Sequence, residues 1–226
     1  MSKRSEVFID HVLGDVFVER GKEKKKVEAG LVSDSKSFRL QDGDKVVTGE
    51  DGYIVSIAER KKGKYSSYFK IGCNSEVSFN INTAISKIEI EKGWIVVETN
   101  AEIKAPLVEI RRVKDKEMKG SADGDSVFVL IKVEKEKVKV ANKGFPVEVI
   151  HKKKDKSGRL MGHEQATATP SKLNFKSDAD KDVRSILSKF MELDESMANS
   201  VTNQVLENMK KLEKRMRKEG GWKKED

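Results

Sequence analysis

The stretch Lys132-Val133-Glu134-Lys135-Glu136-Lys137-Val138-Lys139-Val140 decides the reading of the fold. Its ends alternate apolar and charged residues around a polar Glu-Lys-Glu-Lys centre. Successive side chains of an extended chain point to opposite faces, so this pattern predicts a half-buried strand with one dry face and one wet face. Val16 to Val18, Tyr53 to Ile57, Val77 to Ile81, Ile88 to Ile90 and Trp94 to Val97 share the texture, being rich in β-branched and aromatic residues. Glycines with turn-forming partners separate these runs, at Asp42-Gly43-Asp44, Asp51-Gly52, Lys92-Gly93, Asp123-Gly124-Asp125, Lys143-Gly144 and Ser157-Gly158. Glycine tolerates positive φ and Asp hydrogen-bonds its own turn, so these pairs read as hairpin punctuation. Many short strands with turn signals at intervals of roughly 8–12 residues predict a mainly β domain over residues 1–176, an antiparallel sandwich or roll.

The texture changes at Ser177. Apolar residues then fall at Val183, Ile186, Phe190, Leu193, Met197, Val201, Val205, Met209, Leu212 and Met216, the spacing of one helical face. Asp178, Asp180 and Asp182 crowd the start and Lys210, Lys211, Lys214, Arg215, Arg217 and Lys218 the end, which complements the helix dipole. Gly220-Gly221 supplies a stop. The pattern predicts one long amphipathic helix over about 178–218, followed by a short basic tail, in a second region spanning 177–226. At 1.5 Å per residue it would reach roughly 60 Å, against a radius of gyration of ~16 Å for the preceding domain. The stripe advances about 3.67 residues per step, the eleven-residue period and not the heptad, which disfavours a left-handed coiled coil. It can pack back on the β domain, or its overhanging part can pack on a second subunit.

Across 226 residues, 37% are charged and 36% hydrophobic, so much of the chain is solvated surface around a modest core. Residues 177–226 carry equal numbers of acidic and basic side chains, and the net charge of +8 therefore belongs to residues 1–176. No run approaches the ~20 apolar residues of a bilayer span. Glu6, Asp10 and His11 interrupt the start where a secretory leader would be apolar, and a cytoplasmic location is expected. The single cysteine, Cys73, excludes an intramolecular disulfide and a cysteine-based zinc cage.

Few residues suggest chemistry. His11, His151 and His163 lie far apart and read as surface or loop histidines, and Cys73 reads as a buried inert thiol. Phosphate-binding glycine loops and nucleophile elbows are absent from the sequence, and no catalytic residue, metal or cofactor is expected. Arg60, Lys61, Lys62 and Lys64 interleave with Tyr65 and Tyr68, so the lysines could hold phosphates while a tyrosine stacks a base. The plainer reading is a hairpin whose charged tip and edge discourage strand addition.

Gly14 to Arg20 resembles the opening strand of the FecR-like domain. Asp42-Gly43-Asp44-Lys45-Val46-Val47-Thr48-Gly49, followed by Tyr53 to Ile57, is similar to its G-D-x-V-x-T-G turn and next strand. Gly72-Cys73-Asn74-Ser75-Glu76-Val77 resembles its N-S step. Ile88 to Val97, Ala105-Pro106 and Leu160 to Thr169 resemble its later strand, its T-P turn and its closing strand. The resemblance covers about residues 12–170 in serial order and implies an all-β module for protein interaction and signalling. The family's G-T-x-F step is missing, and the charged stretch Arg111 to Asp125 stands in its place.

The sequence thus points to a non-catalytic protein-binding, scaffold or regulatory module, the β domain contacting an unidentified protein partner and the C-terminal stripe forming homo-oligomers. The alternative is a polyanion-binding protein that meets nucleic acid or an anionic membrane surface through its basic hairpin loops.

Overall fold

The computed structural model describes residues 6–28, 30–31, 38–61, 64–81, 85–113, 127–186, 188–189 and 192. Strands β1 (Glu6–Leu13), β2 (Val16–Arg20), β3 (Glu23–Val27), β4 (Gly30–Leu31), β5 (Phe38–Leu40) and β6 (Lys45–Thr48) come first. β7 (Tyr53–Lys61), β8 (Lys64–Ile71), β9 (Glu76–Ile81), β10 (Ile85–Thr99), β11 (Glu102–Lys104) and β12 (Val108–Arg112) follow. β13 (Val127–Glu134), β14 (Lys137–Asn142), β15 (Val147–His151), β16 (Ser157–Leu160), β17 (Gln165–Thr169) and β18 (Lys172–Lys176) complete the set. All join one open sheet. It is mixed, because β10 and β11 run parallel while the other pairings among the described residues are antiparallel.

β10 organises this sheet. Up to Lys92 it pairs with β9 and β11, and from Gly93 onward with β8 and β13. Hydrogen bonding therefore gives two ladders that share β10. One runs β3-β2-β6-β9-β10-β11-β12-β15-β16. The other runs β5-β1-β7-β8-β10-β13-β14-β17-β18. Alternate side chains of both ladders enter one core. Phe69 on β8 and Phe79 on β9 meet edge to face with ring centroids 5.7 Å apart, and both are buried. Burying a side chain of this size contributes ~1.5–3 kcal/mol. Gly93 has φ of 81° at the crossover, and a Cβ there would lie 2.2 Å from Ser75 Oγ. The turn expected at Lys92-Gly93 is thus the interior of a strand that changes partners. Ser157-Gly158, also expected as a turn, opens β16.

The stretch Lys132 to Val140 is a hairpin and not one strand. Lys135 and Glu136 form the turn, and Val133 pairs with Val138 and Lys132 with Lys139. Five positions separate Val133 from Val138, an odd number, so a continuous strand would place them on opposite faces. Reversal at the turn puts both in the core.

Two compact units divide the chain, residues 1–184 and 185–226. In the first, a helix opens at residue 181 and not at 178. Asp180 is its N-cap, because its carbonyl already accepts the Arg184 N–H at 2.9 Å while its own N–H goes to Gln165 Oε1. In the second, residues 185–186, 188–189 and 192 are helical. The remainder of the helix expected to 218 lies outside the described residues. Among the described residues no helix is long and apolar enough to cross a membrane.

Candidate functional site

The polar residues that carry the FecR resemblance hold strands together. Asp44, Thr48 and Ser75 are buried. Asp44 accepts from Arg20 Nε and Nη2 at 2.8 and 2.7 Å and from the Gln41 N–H at 2.8 Å. Thr48 Oγ1 donates to the Gly72 carbonyl at 2.6 Å and accepts the Ser75 N–H at 2.9 Å. Ser75 Oγ accepts the Trp94 N–H at 2.9 Å. Each group has internal partners, as a buried polar group requires, and joins β2, β6, β9 and β10. Gly72 lies against the Trp94 indole, where a Cβ would come 1.9 Å from Cε2. Cys73 beside it is half-buried, more open than its sequence context suggests.

The outward face of the β3-to-β16 ladder carries the charge in rows. One register line reads Lys24, Glu19, Lys45, Ser78, Glu89, Lys104, Glu109, Ile150, Ser157 from β3 to β16. Its neighbour reads Lys87, Glu102, Arg111, Glu148, Arg159. Sign alternates along the charged members of both lines, Ser78, Ile150 and Ser157 being uncharged, and opposite charges facing across strands contribute roughly 0.2–1 kcal/mol per pair. Ion pairs join neighbours within the lines, Lys24–Glu19 at 3.1 Å, Lys104–Glu109 at 3.3 Å and Arg111–Glu102 at 3.2 Å, while Lys45–Glu76 at 2.6 Å runs diagonally and Arg111–Glu109 at 2.7 Å runs along β12. Hydrogen bonds from Lys45 and Lys92 bring the Glu76 carboxyl down to about 2.

Where the second row ends, an open cleft of about 720 Å³ lies over β12, β15 and β16. Arg111, Arg112, Glu148 and Arg159 line it, with Asn100 to Glu102 at its side. Arg111 bonds Glu102 and Glu109, and Arg112 Nη1 approaches Asn100 Oδ1 at 3.5 Å. The adjoining β15–β16 turn carries Lys152, Lys153, Lys154 and Lys156, all exposed, against one carboxylate, Asp155. Such a surface can read a pattern of charge. Among the described residues no three His, Cys, Asp or Glu side chains gather as a metal site.

The other ladder has a different outer face. Lys132 and Lys139 sit directly opposite one another on β13 and β14, an arrangement that repels. Asp182 resolves it, with Oδ2 2.7 Å from Lys132 Nζ and 2.8 Å from Lys139 Nζ. Asp180 Oδ2 accepts from Gln165 Nε2 at 2.9 Å and lies 3.0 Å from Lys139 Nζ. Partial burial opposes ionisation of Asp182, but Lys132 and Lys139 outweigh it and hold its carboxyl at about 2. Lys176, then Gln165 and Lys139, hold the Asp180 carboxyl far below its usual range. Val183, fully buried, follows these two acids.

The basic-aromatic segment is the β7–β8 hairpin, pairing Arg60 with Tyr65 and Lys61 with Lys64. Lys62 and the side chains of Arg60, Lys61, Lys64 and Tyr65 lie outside the described residues. Tyr68 is half-buried with Lys70 Nζ 5.6 Å from its ring centroid. Of the helical stripe, Val183 is buried and Ile186 half-buried. Phe190, Leu193, Met197, Val201, Val205, Met209, Leu212 and Met216 lie outside the described residues. Two histidines correct the surface expectation. His11 lies buried in β1, and His151 is 2% exposed, its Nε2 2.7 Å from the Thr169 carbonyl and its Nδ1 accepting the Lys153 N–H. The Glu102, Arg111, Glu148, Arg159 row has no signal in local sequence, because only strand register brings it together.

No protein-family model matches the chain, and no curated protein does. Two crystal structures of proteins from Parabacteroides distasonis ATCC 8503, each proposed to be an anti-sigma factor, resemble it. One is 11% identical with a TM-score of 0.47, covering 63% of this chain and 64% of that one. The other is 14% identical with a TM-score of 0.39, covering 54% and 55%. This chain thus spans less than two thirds of the length of either.

Proposed function

We propose that the chain is a non-catalytic, FecR-like protein-binding module of regulatory or scaffold type, using its β unit for partner contact and its C-terminal stripe for homo-oligomerisation. The observation that carries this reading is the outer face of the β3-to-β16 ladder. Its charges alternate in sign across strands, so its net field is small while its pattern is specific, a combination that favours recognition of a complementary protein surface. The buried polar residues support the same reading, because Asp44, Thr48 and Ser75 are committed to joining strands. Site-specific photo-crosslinking in the native host tests it. A crosslinker at position 148 should capture a discrete protein, and Arg111→Glu should reduce the yield severalfold. Crosslinks to nucleic acid alone, or none, would count against it.

The polyanion alternative rests on a separate feature, the exposed lysines of the β15–β16 turn. It requires affinity for DNA, RNA or anionic vesicles that falls steeply with salt. Replacing Lys152, Lys153 and Lys154 with Ala would then flatten the slope, and no binding at about 50 mM salt would exclude this reading.

A further inference from the structure

Among the described residues three large apolar side chains are exposed, Phe145 at 36%, Met161 at 45% and Phe175 at 41%. Scattered singly they would need no explanation, but they gather at one margin of the sheet. The Phe175 ring lies against Gly158 in β16, where a Cβ would come 2.4 Å from its Cζ. Met161 directly follows Leu160, the last residue of β16. Phe145 sits in the β14–β15 turn beside it, because Asn142 Nδ2 donates to the Phe145 and Leu160 carbonyls, each at 2.9 Å. Extended chain from Gly158 to Met161 covers only about 10 Å. The turns that carry Phe145 and Met161 are also tied down. Buried Asn142 accepts the Gly144 N–H on Oδ1 at 3.0 Å, its carbonyl accepts the His163 N–H at 2.8 Å, and its own N–H goes to the Glu164 carbonyl at 3.0 Å. Glu164 Oε2 in turn accepts the Met161 N–H at 2.7 Å. A main chain fixed in this way presents apolar side chains that lose little entropy on binding.

Charge at this margin is one-sided. Lys152, Lys153, Lys154 and Lys156 in the β15–β16 turn are exposed and make no ion pair among the described residues. His151 Nε2, 2.7 Å from the Thr169 carbonyl, brings the β17–β18 turn alongside, and with it Lys172, which is exposed and also makes no ion pair there. Asp155 is the one carboxylate in the lysine turn. These charges select among occupants. A second copy using the same margin would set the lysines against their own equivalents, and like charges brought together across an interface repel. A strand added to β16 would meet exposed Lys156 and Arg159, which discourage such pairing. A helix keeps its main-chain hydrogen bonds to itself and docks by side chains alone. Apolar side chains at i, i+4 and i+7 of a helix span about 10 Å, the length of this margin.

We propose that Phe145, Met161 and Phe175 dock an amphipathic helix of a partner protein, its apolar face on these three side chains and its carboxylates toward Lys152, Lys153, Lys154 and Lys156. This rests on the protein-binding reading above and adds the surface and the kind of partner. The probe is a fluorescein-labelled helical peptide of about 18 residues, roughly five turns, with leucine along one face and glutamate along the other. Its counterpart carries lysine in place of glutamate. Anisotropy at ~150 mM salt, near the physiological value, should find the glutamate peptide bound at least ~10-fold tighter by the full-length chain, a difference of about 1.4 kcal/mol. Phe145→Ser combined with Met161→Ser should weaken that binding at least ~10-fold. Lys152→Glu, Lys153→Glu and Lys154→Glu together should invert the preference between the peptides. Both serine positions are exposed, so the doubly substituted chain should keep the parent melting temperature. Should it fail to fold, the Met161 methyl resonance of the parent chain decides, because the glutamate peptide must shift it. Equal affinity for the two peptides, binding that survives in the folded serine variant, or an unmoved Met161 methyl would overturn the proposal. So would a homodimer that the serine variant dissociates, since the occupant would then be a second copy. A protein adduct from position 148 that persists in the serine variant would sink this inference and leave the protein-binding reading standing.

Discussion

Gly93 and Asp182 show how single residues set the architecture. Gly93 lets β10 leave one ladder and enter the other, because its φ of 81° and its contact with Ser75 exclude a side chain. Gly93→Ala should lower stability by at least ~1–3 kcal/mol through backbone strain alone, read as a fall in melting temperature. An unchanged melting temperature would show that the crossover tolerates a Cβ. Asp182 neutralises two facing lysines, and its folded carboxyl at about 2 lies below the ordinary aspartate value of 3.8. A depressed carboxyl stabilises the fold above the unfolded value and loses that contribution as pH falls through the folded value. The melting temperature should therefore drop between about pH 5 and pH 2, and Asp182→Asn should drop less over that window. Equal slopes for the two proteins would remove Asp182 from the account. In the sequence, Asp182 is visible only as a helix-start acid, since its lysine partners lie on β13 and β14, far away along the chain.

Strands and rows belong to the next scale. Lys45 lies between Glu76 and Glu91 at 2.6 and 2.8 Å, so Lys45→Glu would gather three carboxylates. Chemical denaturation should show a loss of roughly 1 kcal/mol, from pairs worth ~0.2–1 each, which ~1 M salt should shrink by screening. A salt-independent loss would point to packing instead. Strand texture was legible in the sequence because burial on one face leaves a period of two, as Val77 to Ile81 and Ile88 to Ile90 show. Turns were less so. Lys135-Glu136 lacks glycine yet turns the chain, and the odd spacing from Val133 to Val138 was the available sign. Gly93 looks like a turn residue because positive φ is common to turns and to this crossover. The outer rows leave no trace in local sequence for a different reason: register between strands distant in sequence is set by the whole sheet.

At the scale of the molecule, the charge-rich composition divides between two outer faces. One ladder lays its charges in alternating rows that end at β16, and the other receives the helix start at residues 180–183. Light scattering at tens of micromolar should find the full-length chain oligomeric and a version ending at Arg184 monomeric and folded. A monomer in both would remove the oligomerisation role from the stripe that runs from Ile186 to Met216. The most direct measurement of the central claim is photo-crosslinking from position 148 in the native host, on the parent chain and on Arg111→Glu. The protein-binding account expects one discrete protein adduct on the parent chain, reduced severalfold in the variant. Adducts to nucleic acid alone, or a protein adduct indifferent to Arg111→Glu, would contradict it.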